Sequence, residues 1–504
     1  MKIQWEEENK LSPESKRDYN KVFDLIDRYT KKLSQEETTN IPGTQPTSRQ
    51  SVRVCENSAD PTSDTHIYEN NCSEVKWCHL EDSIDYQHLL EMDSQYAEIV
   101  KQKYILTEKF DLTPKIITLL AKLNSFSANG RYLLFGLRGC IIKDENYISK
   151  LSDLKNNKVV SKLTSERWKD IFHADDSAIE QLFVSKIEVA HTLPDHKNLN
   201  CIIGICDLQQ NKILLLRAST VPTENFVKKA CQKQMKVNLL PTGLYKYRKG
   251  HHSSGDTIIP NALRENGRVN VLRTIGNAVF TDLDIWDLYT NPADNIHASR
   301  KDITTSFSSA GCNVILGSAK RTENTVVHKK DWAIFKHVLA KKVLNDSTTE
   351  YMLLTGMEAY ILSTILSKSL SLEDKLKAVN SLKRIRIGSE GSHVEQVQKK
   401  LDEYLGRNGK LIKSMNKNRD LSSMVIASRL TNIIESGLKI NGNYDGKFFT
   451  KSSSVYILWQ KFIRNDGRLK KYAADGIITP NDFVNMELQS SLWADPVSIS
   501  DINP

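Results

Sequence analysis

No stretch of this chain approaches the roughly 18 consecutive apolar residues that a spanning helix requires, so no transmembrane helix is expected. The start, Met1-Lys-Ile-Gln-Trp-Glu-Glu-Glu, lacks a basic stretch followed by an apolar one, and no secretory signal peptide is expected. Neither G-x-x-x-x-G-K-[ST] nor G-x-G-x-x-G occurs, which leaves nucleotide use without support. Cysteine is sparse: Cys55, Cys72, Cys78, Cys140, Cys201, Cys206, Cys231 and Cys312 are irregularly spaced, which favours reduced thiols over a disulfide framework. Cys72 and Cys78-His79, taken with Cys55 and His66, match no common zinc-finger spacing. No metal and no cofactor is called for, and no internal repeat is visible.

What is present is ordinary globular composition, with 39% apolar, 26% charged and 8% aromatic residues. At 504 residues the chain is too long for one core and implies several domains. Its net charge of +9 is unevenly spread. Between Leu366 and Asp475 there are 22 basic and 11 acidic residues, so that region carries +11 and the rest of the chain −2. Such a patch attracts nucleic acid, an acidic membrane surface or an anionic wall polymer alike.

Tyr19, Val22, Phe23, Ile26 and Leu33 recur at helical spacing, so residues 15–34 read as an amphipathic helix. From Glu36 to Asn71 the chain is polar and rich in Thr, Ser, Pro and Asn, the texture of a linker. Ser83 to Val100 reads as a helix, and Arg131 to Cys140 as a strand. CIIGICDL and ILLLRAST flank the polar QQNK, which is a hairpin signature. Further β-like runs cover Arg268 to Arg273 and Ala278 to Ile285, whereas Asp331 to Ser369 and Leu372 to Ile387 follow a helical rhythm.

The segment NIHASRKDITTSFSSAGCNVILG, Asn295 to Gly317, brings His297, Ser309, Gly311 and Cys312 together. A thiol with a pKa near about 8.5 is mostly protonated at neutral pH, and a nucleophilic cysteine therefore needs a base beside it. His297, 15 positions before Cys312, is the candidate. S-x-G-C preceded by a His at this distance resembles the signature of the L,D-transpeptidase catalytic domain, the YkuD fold. The Cys201 to Ser219 hairpin resembles that family's opening strands, and Leu240-Pro-Thr-Gly-Leu-Tyr resembles its T-P-x-G-x-Y element. The resemblance spans about Leu199 to Phe335. It implies Cys312 as nucleophile, His297 as general base, and Ser309 with Gly311 shaping an oxyanion loop, in a cysteine acyl-transferase acting on peptidoglycan stem peptides. Asp294 or Asn295 is expected to orient His297. Tyr247 and His252, from the polar stretch at Tyr245 to Ser254, and Asn313, next to the nucleophile, are the expected substrate contacts. The sequence departs from the family where Ala310 replaces a second His and Val314 replaces a polar residue.

GSEGSHVEQVQKKL (Gly388 to Leu401) and NGNYDGKFFTKSSSVYILWQKF (Asn441 to Phe462) resemble the two halves of the common helical peptidoglycan-binding domain. Asp445, Gly446, Phe448, Thr450, Val455, Trp459 and Gln460 fall on its pattern, Phe449 and Ser454 depart from it, and about 40 residues separate the halves.

The expected architecture is α+β and multidomain. It comprises an amphipathic N-terminal helix (1–35), a disordered linker (36–80), an accessory α/β region (81–195), a mainly-β YkuD-like catalytic domain (196–345) and a helical peptidoglycan-binding-like domain (346–490). The expected function is a peptidoglycan-directed cysteine acyl-transferase or hydrolase working through a Cys312 thioester. Its partners would be peptidoglycan and, through the N-terminal helix, an injection or phage-like particle that delivers a protein made in the cytoplasm to the cell wall. The alternative is a non-catalytic wall-anchoring component of such a machine, favoured by Ala310 and Val314. A nucleic-acid binder is the third reading. It would need aromatics interleaved with the basic residues, but Tyr456, Trp459 and Phe462 share a helix face, so no specific nucleic acid is expected.

Overall fold

The computed structural model describes residues 109–127, 130–154, 158–164, 167–173, 175–192, 194–232, 235–254, 257–274, 285–343, 348–417, 425–426, 435, 437–462, 474–489 and 496–502. The expected N-terminal helix, the linker with Cys55, Cys72 and Cys78, the helix at Ser83 to Val100 and most of the run at Ala278 to Ile285 lie outside the described residues.

The centre of the α+β structure is a closed eight-stranded barrel. Its strands are β1 (Tyr132–Arg138), β2 (Cys201–Asp207), β3 (Lys212–Ser219), β4 (Gly243–Ser254), β5 (Thr257–Glu265), β6 (Ile296–Ala298), β7 (Asn313–Ile315) and β8 (Thr348–Thr355). They follow one another around the barrel as β4-β5-β6-β7-β3-β2-β1-β8. The expected hairpin is β2–β3, antiparallel from Cys201 opposite Ala218 to Asp207 opposite Lys212. Every residue of β2 is buried, which is why its sequence is a continuous apolar run rather than an alternating one.

The barrel is drawn from a wider stretch of chain than 196–345. β1, preceded by the helix α1 (Pro114–Leu123), comes from the region read as accessory, and β8 interrupts the run read as helical from Asp331 to Ser369. That run forms α2 (Lys330–Val338), the short π-helix Leu339–Val343, the strand β8, and then α3 (Gly356–Ser367). The sequence TTEYMLLT of β8 opens on β-branched residues and pairs antiparallel with β4 and parallel with β1, so it closes the barrel. Tyr351 on β8 lies across Gly136 on β1, where any Cβ would meet its hydroxyl at 2.0 Å.

Three smaller sheets surround the barrel. One of them, built from Val237–Leu239, Val269–Thr274, Ile285–Thr290 and Val425–Ile426, receives the C-terminal helix α5 (Thr450–Phe462), against which α4 (Ser392–Lys417) packs. There Trp286 donates its Nε1–H to the Ala474 carbonyl at 2.8 Å, and Ser454 donates to Asn270 Oδ1 at 2.8 Å. The Leu240-Pro-Thr-Gly segment is tied to both flanks. Buried Arg138 donates to the Leu240 carbonyl at 2.6 Å, and buried Arg386, paired with Glu358, donates to Thr242 Oγ1. Each guanidinium satisfies backbone or hydroxyl acceptors that burial would otherwise leave unpaired.

Around α4 and α5 two similar clasps recur. Gln398 donates to Asp445 Oδ1 at 2.7 Å and accepts from the Gly446 N–H at 3.0 Å. Gln460 does the same with Asp475 at 2.7 Å and Gly476 at 2.9 Å. Both glycines take positive φ, +63° and +76°, the region that suits a residue without Cβ. Phe448 and Val455 are fully buried, as their place on the motif implies. No helix among the described residues is long and apolar enough to cross a membrane.

Candidate active site

β6 and β7 are parallel neighbours, and a parallel pair needs a crossover of a dozen or more residues. The crossover here is the loop between Ala298 and Asn313, which accounts physically for the interval between His297 and Cys312. In register, Ile296 faces Asn313 and His297 faces Val314, so Cys312 comes up beside Asn295. The Asn295 backbone N–H is directed at the Cys312 sulfur, and the thiol donates to the Ala293 carbonyl at 3.6 Å.

His252, near the end of β4, completes the group. Its ring stacks on that of His297 with centroids 4.0 Å apart and planes 15° apart. One donor atom each from His252, His297 and Cys312 lie within 4.8 Å of one another, the one such group of three among the described residues. His297 places Nδ1 2.7 Å from the Ala298 carbonyl, which only accepts, so Nδ1 carries the proton and Nε2 is the free acceptor. His252 Nδ1 lies 2.9 Å from the side-chain amide of Asn295. Two neutral imidazoles and a thiol also form a donor set suited to a soft divalent metal.

Electrostatically, the site is neutral at rest. Burial pushes the Cys312 thiol up to about 12, and Asp294 adds to the rise, against the Asn295 N–H and the nearby Arg300 guanidinium. Burial and the adjacent His252 hold His297 well below the usual imidazole range. Burial, with Arg300 and Arg264, lowers His252 to about 4. A neutral His297 has a lone pair free to accept a proton, but burial makes it a weak base and Cys312 a weak acid, so the thiol has to lose its proton during attack rather than before it.

The other expected residues fall as follows. Ser309 Oγ donates to the Cys312 carbonyl at 2.6 Å and accepts from the Gly311 N–H at 3.1 Å, and its own carbonyl is held by Thr223. This clamps the turn that presents Cys312. The Gly311 N–H is thereby engaged by Ser309, the other residue expected to shape the oxyanion loop. At φ +147° a Cβ there would meet Asn238 Cβ and Asp294 Oδ1, each at 2.6 Å, so this glycine permits a close approach.

Tyr247 is fully buried and donates to the Asp294 carbonyl at 2.9 Å, which makes it a support for the strand carrying His297 rather than a cleft contact. Asn313 is buried too, its Oδ1 3.5 Å from the Tyr351 hydroxyl. His252 is partly exposed and sits directly against the base. Neither candidate orients His297, because the Ala298 carbonyl does so, while the Asn295 side chain holds His252 and Asp294 accepts from Asn238 at 3.0 Å.

Sequence reasoning missed Arg300, Asn238 and Glu265. Arg300, three residues after His297, was the most accessible signal, since a cation close to a thiol lowers its pKa. Asn238 and Glu265 arrive from distant strands and carry no local motif. Cys140, Cys201 and Cys206 are free and buried.

No family model, no curated protein and no solved structure matches this chain.

Proposed function

We propose that the chain is a cysteine acyl-transferase or hydrolase directed at peptidoglycan stem peptides, with Cys312 as nucleophile and His297 as general base. The observation that carries this reading is the delivery of both side chains, by adjacent parallel strands, into one buried group in which the His297 tautomer leaves Nε2 open. Cys312 attacks a stem-peptide carbonyl, its proton passes to His297, and the leaving amine takes that proton as the thioester forms. The thioester then goes to an amine or to water. Arg300 is the cation acting on the sulfur and favours the thiolate as it develops. The two Gln–Asp-Gly clasps and the +11 charge of Leu366 to Asp475 support the reading of the C-terminal helices as the part that holds the wall.

The non-catalytic anchoring reading keeps one observation in its favour, the 8% exposure of Cys312. Incubating the full chain with isolated sacculi and profiling the muropeptides separates the two. Wild type should change the profile, and Cys312→Ala and His297→Ala should each abolish the change, with the double variant scarcely worse than either because the pair acts as a unit. All four proteins should still sediment with sacculi, and should do so more strongly than with duplex DNA at about 200 mM salt, where binding by charge alone weakens steeply. An unchanged muropeptide profile with intact wall binding would leave the anchoring reading.

A further inference from the structure

The small sheet formed by Ala319–Thr322, Thr325–His328, Lys158–Thr164 and Arg167–His173 meets the barrel through a buried polar cluster that the proposed chemistry does not use. Lys336, on α2, stands at its centre and is 2% exposed. Its ammonium donates to the Pro260 carbonyl at 2.9 Å, to Ser161 Oγ at 3.2 Å and to Asp170 Oδ1 at 3.2 Å. Three N–H donors thus meet three acceptors. Trp332 donates its Nε1–H to His328 Nδ1 at 3.0 Å, so the neutral ring carries its proton on Nε2 and donates it to Ser161 Oγ at 2.8 Å. Burial and the adjacent ammonium hold His328 down to about 2, which keeps that ring neutral. Ser161 in turn donates to Asp170.

Pro260 sits at an irregularity of the β4–β5 pair. Gly250 faces Ala262 and His252 faces Ile259, so Pro260 and Asn261 together oppose His251. This is a β-bulge, which bends a strand pair and re-aims the side chains beside it. Asn261 takes φ +55°, and its N–H donates to His251 Nδ1 at 3.4 Å. Pro260 has no N–H for the ladder, and Lys336 takes up its carbonyl, so the bulge is fixed from the helix side. His252, the first residue paired beyond the bulge, is the ring that stacks on His297.

A buried ammonium–carboxylate pair is a weak source of stability, because desolvating both charges offsets their attraction. Apolar side chains could fill the same space, but none could grip a backbone carbonyl, a hydroxyl and a carboxylate at once. We propose that Lys336 is a positioning residue for the candidate active site: by fixing the Pro260 carbonyl it sets the bulge, and the bulge sets the stack of His252 on His297. The inference rests on the proposed acyl-transfer function and deepens it, because it extends control of the base to a helix and a sheet outside the cysteine–histidine pair. Lys336 acts through Pro260 and His252 rather than on the substrate.

The stack can be read without catalysis. Full-length protein carrying isotope-labelled histidine is followed by NMR, and the ring signals of His252 and His297 are assigned from the loss of each in His252→Phe and His297→Ala. Stacked imidazoles shield one another, so both signals should lie upfield of a free ring's in wild type. Lys336→Met leaves Asp170 buried without its cation and is the variant most exposed to misfolding. Lys336→Met combined with Asp170→Asn removes both charges and keeps an oxygen for Ser161, so it should fold. The expected result in the double variant is loss of the upfield shift and sacculus processing slowed by roughly 100-fold, the scale of a small misplacement made far from the chemistry. Its melting point should stay within a few degrees of wild type, and its sedimentation with sacculi should be unchanged. Unmoved ring signals in the folded double variant, or separated rings with processing undiminished, would overturn the positioning role. If the rings separate in the double variant while wild type leaves sacculi unprocessed, the acyl-transfer reading fails and the positioning role stands. If wild type processes sacculi and the double variant does so equally with its rings unmoved, the positioning role fails and the acyl-transfer reading stands.

Discussion

His252 lies face to face with His297, the ring centroids 4.0 Å apart, although the two residues come from strands that are far apart in sequence. The stacking does two things. It adds the repulsion of His252 to the burial that already holds His297 well below the usual imidazole range, and it covers the base with a partly exposed ring that burial and Arg300 also keep neutral. With Ala310 standing where the resembling family has a second histidine, His252 puts an imidazole at the site from another direction.

Replacing His252 should therefore touch chemistry more than stability. His252→Ala is expected to slow sacculus processing by roughly 10- to 100-fold, the usual cost of losing a group that orients a catalytic histidine. His252→Phe, which preserves a stacked ring but no nitrogen, should restore part of the loss if packing is what matters. Initial rates on sacculi, with melting points recorded for both variants, provide the check.

The thiol should behave as a weak acid. Because burial pushes Cys312 up to about 12, its alkylation by iodoacetamide should rise steadily with pH through about 9 and show no plateau near neutrality. Burial raises Cys140, Cys201 and Cys206 as well, and all three are more deeply enclosed than Cys312, so Cys312 should still be the first of the free thiols among the described residues to label. Peptide mapping after timed labelling decides it. A plateau below pH 7 would mean a preformed thiolate–imidazolium pair and would overturn the neutral resting state.

Gly311→Ala should be disruptive out of proportion to one methyl group. The added Cβ would sit 2.6 Å from both Asn238 Cβ and Asp294 Oδ1, at a φ of +147° that L-residues avoid. Strain of this kind costs on the order of 1–3 kcal/mol. A clear drop in melting temperature is expected, whereas a variant as stable as wild type would show that the turn relaxes freely.

Glu265 provides a pH signature. Burial, with a smaller contribution from Asp294, raises its carboxyl from 4.5 to about 9. Below the ordinary value both the folded and the unfolded chain are protonated there, and the carboxyl costs nothing. As pH climbs toward about 9 the unfolded chain releases its proton while the folded chain holds it, so stability falls across that window. Glu265→Gln cannot ionise, and should match wild type near about pH 4 and exceed it by several degrees near about pH 8 in a melting series. Parallel profiles for the two proteins would refute a raised carboxyl.

Local texture made several elements legible. The β2–β3 hairpin was readable because two short apolar runs flank a polar turn, and β1 because YLLFGL, between Arg131 and Arg138, is a continuous apolar run. The same local reasoning failed at β8. TTEYMLLT sits between two helical stretches and shares their apolar density, and only its pairing with β1 and β4 makes it a strand. Nor could it show that Ser309 engages the Gly311 N–H, which is a contact across the turn rather than a property of either residue type.

By itself the sequence determined the residues that can do chemistry and their separation along the chain: a thiol, a histidine 15 positions earlier, and a basic helical stretch with Asp-Gly turns. The tertiary structure decided their state. The partnership of His252 with His297, the neutral thiol and the facing carboxyls of Glu265 and Asp294 all follow from closure of the barrel. Closure brings distant strands into register and removes water from between them, and in the low dielectric that results, proximity and desolvation set each group's charge.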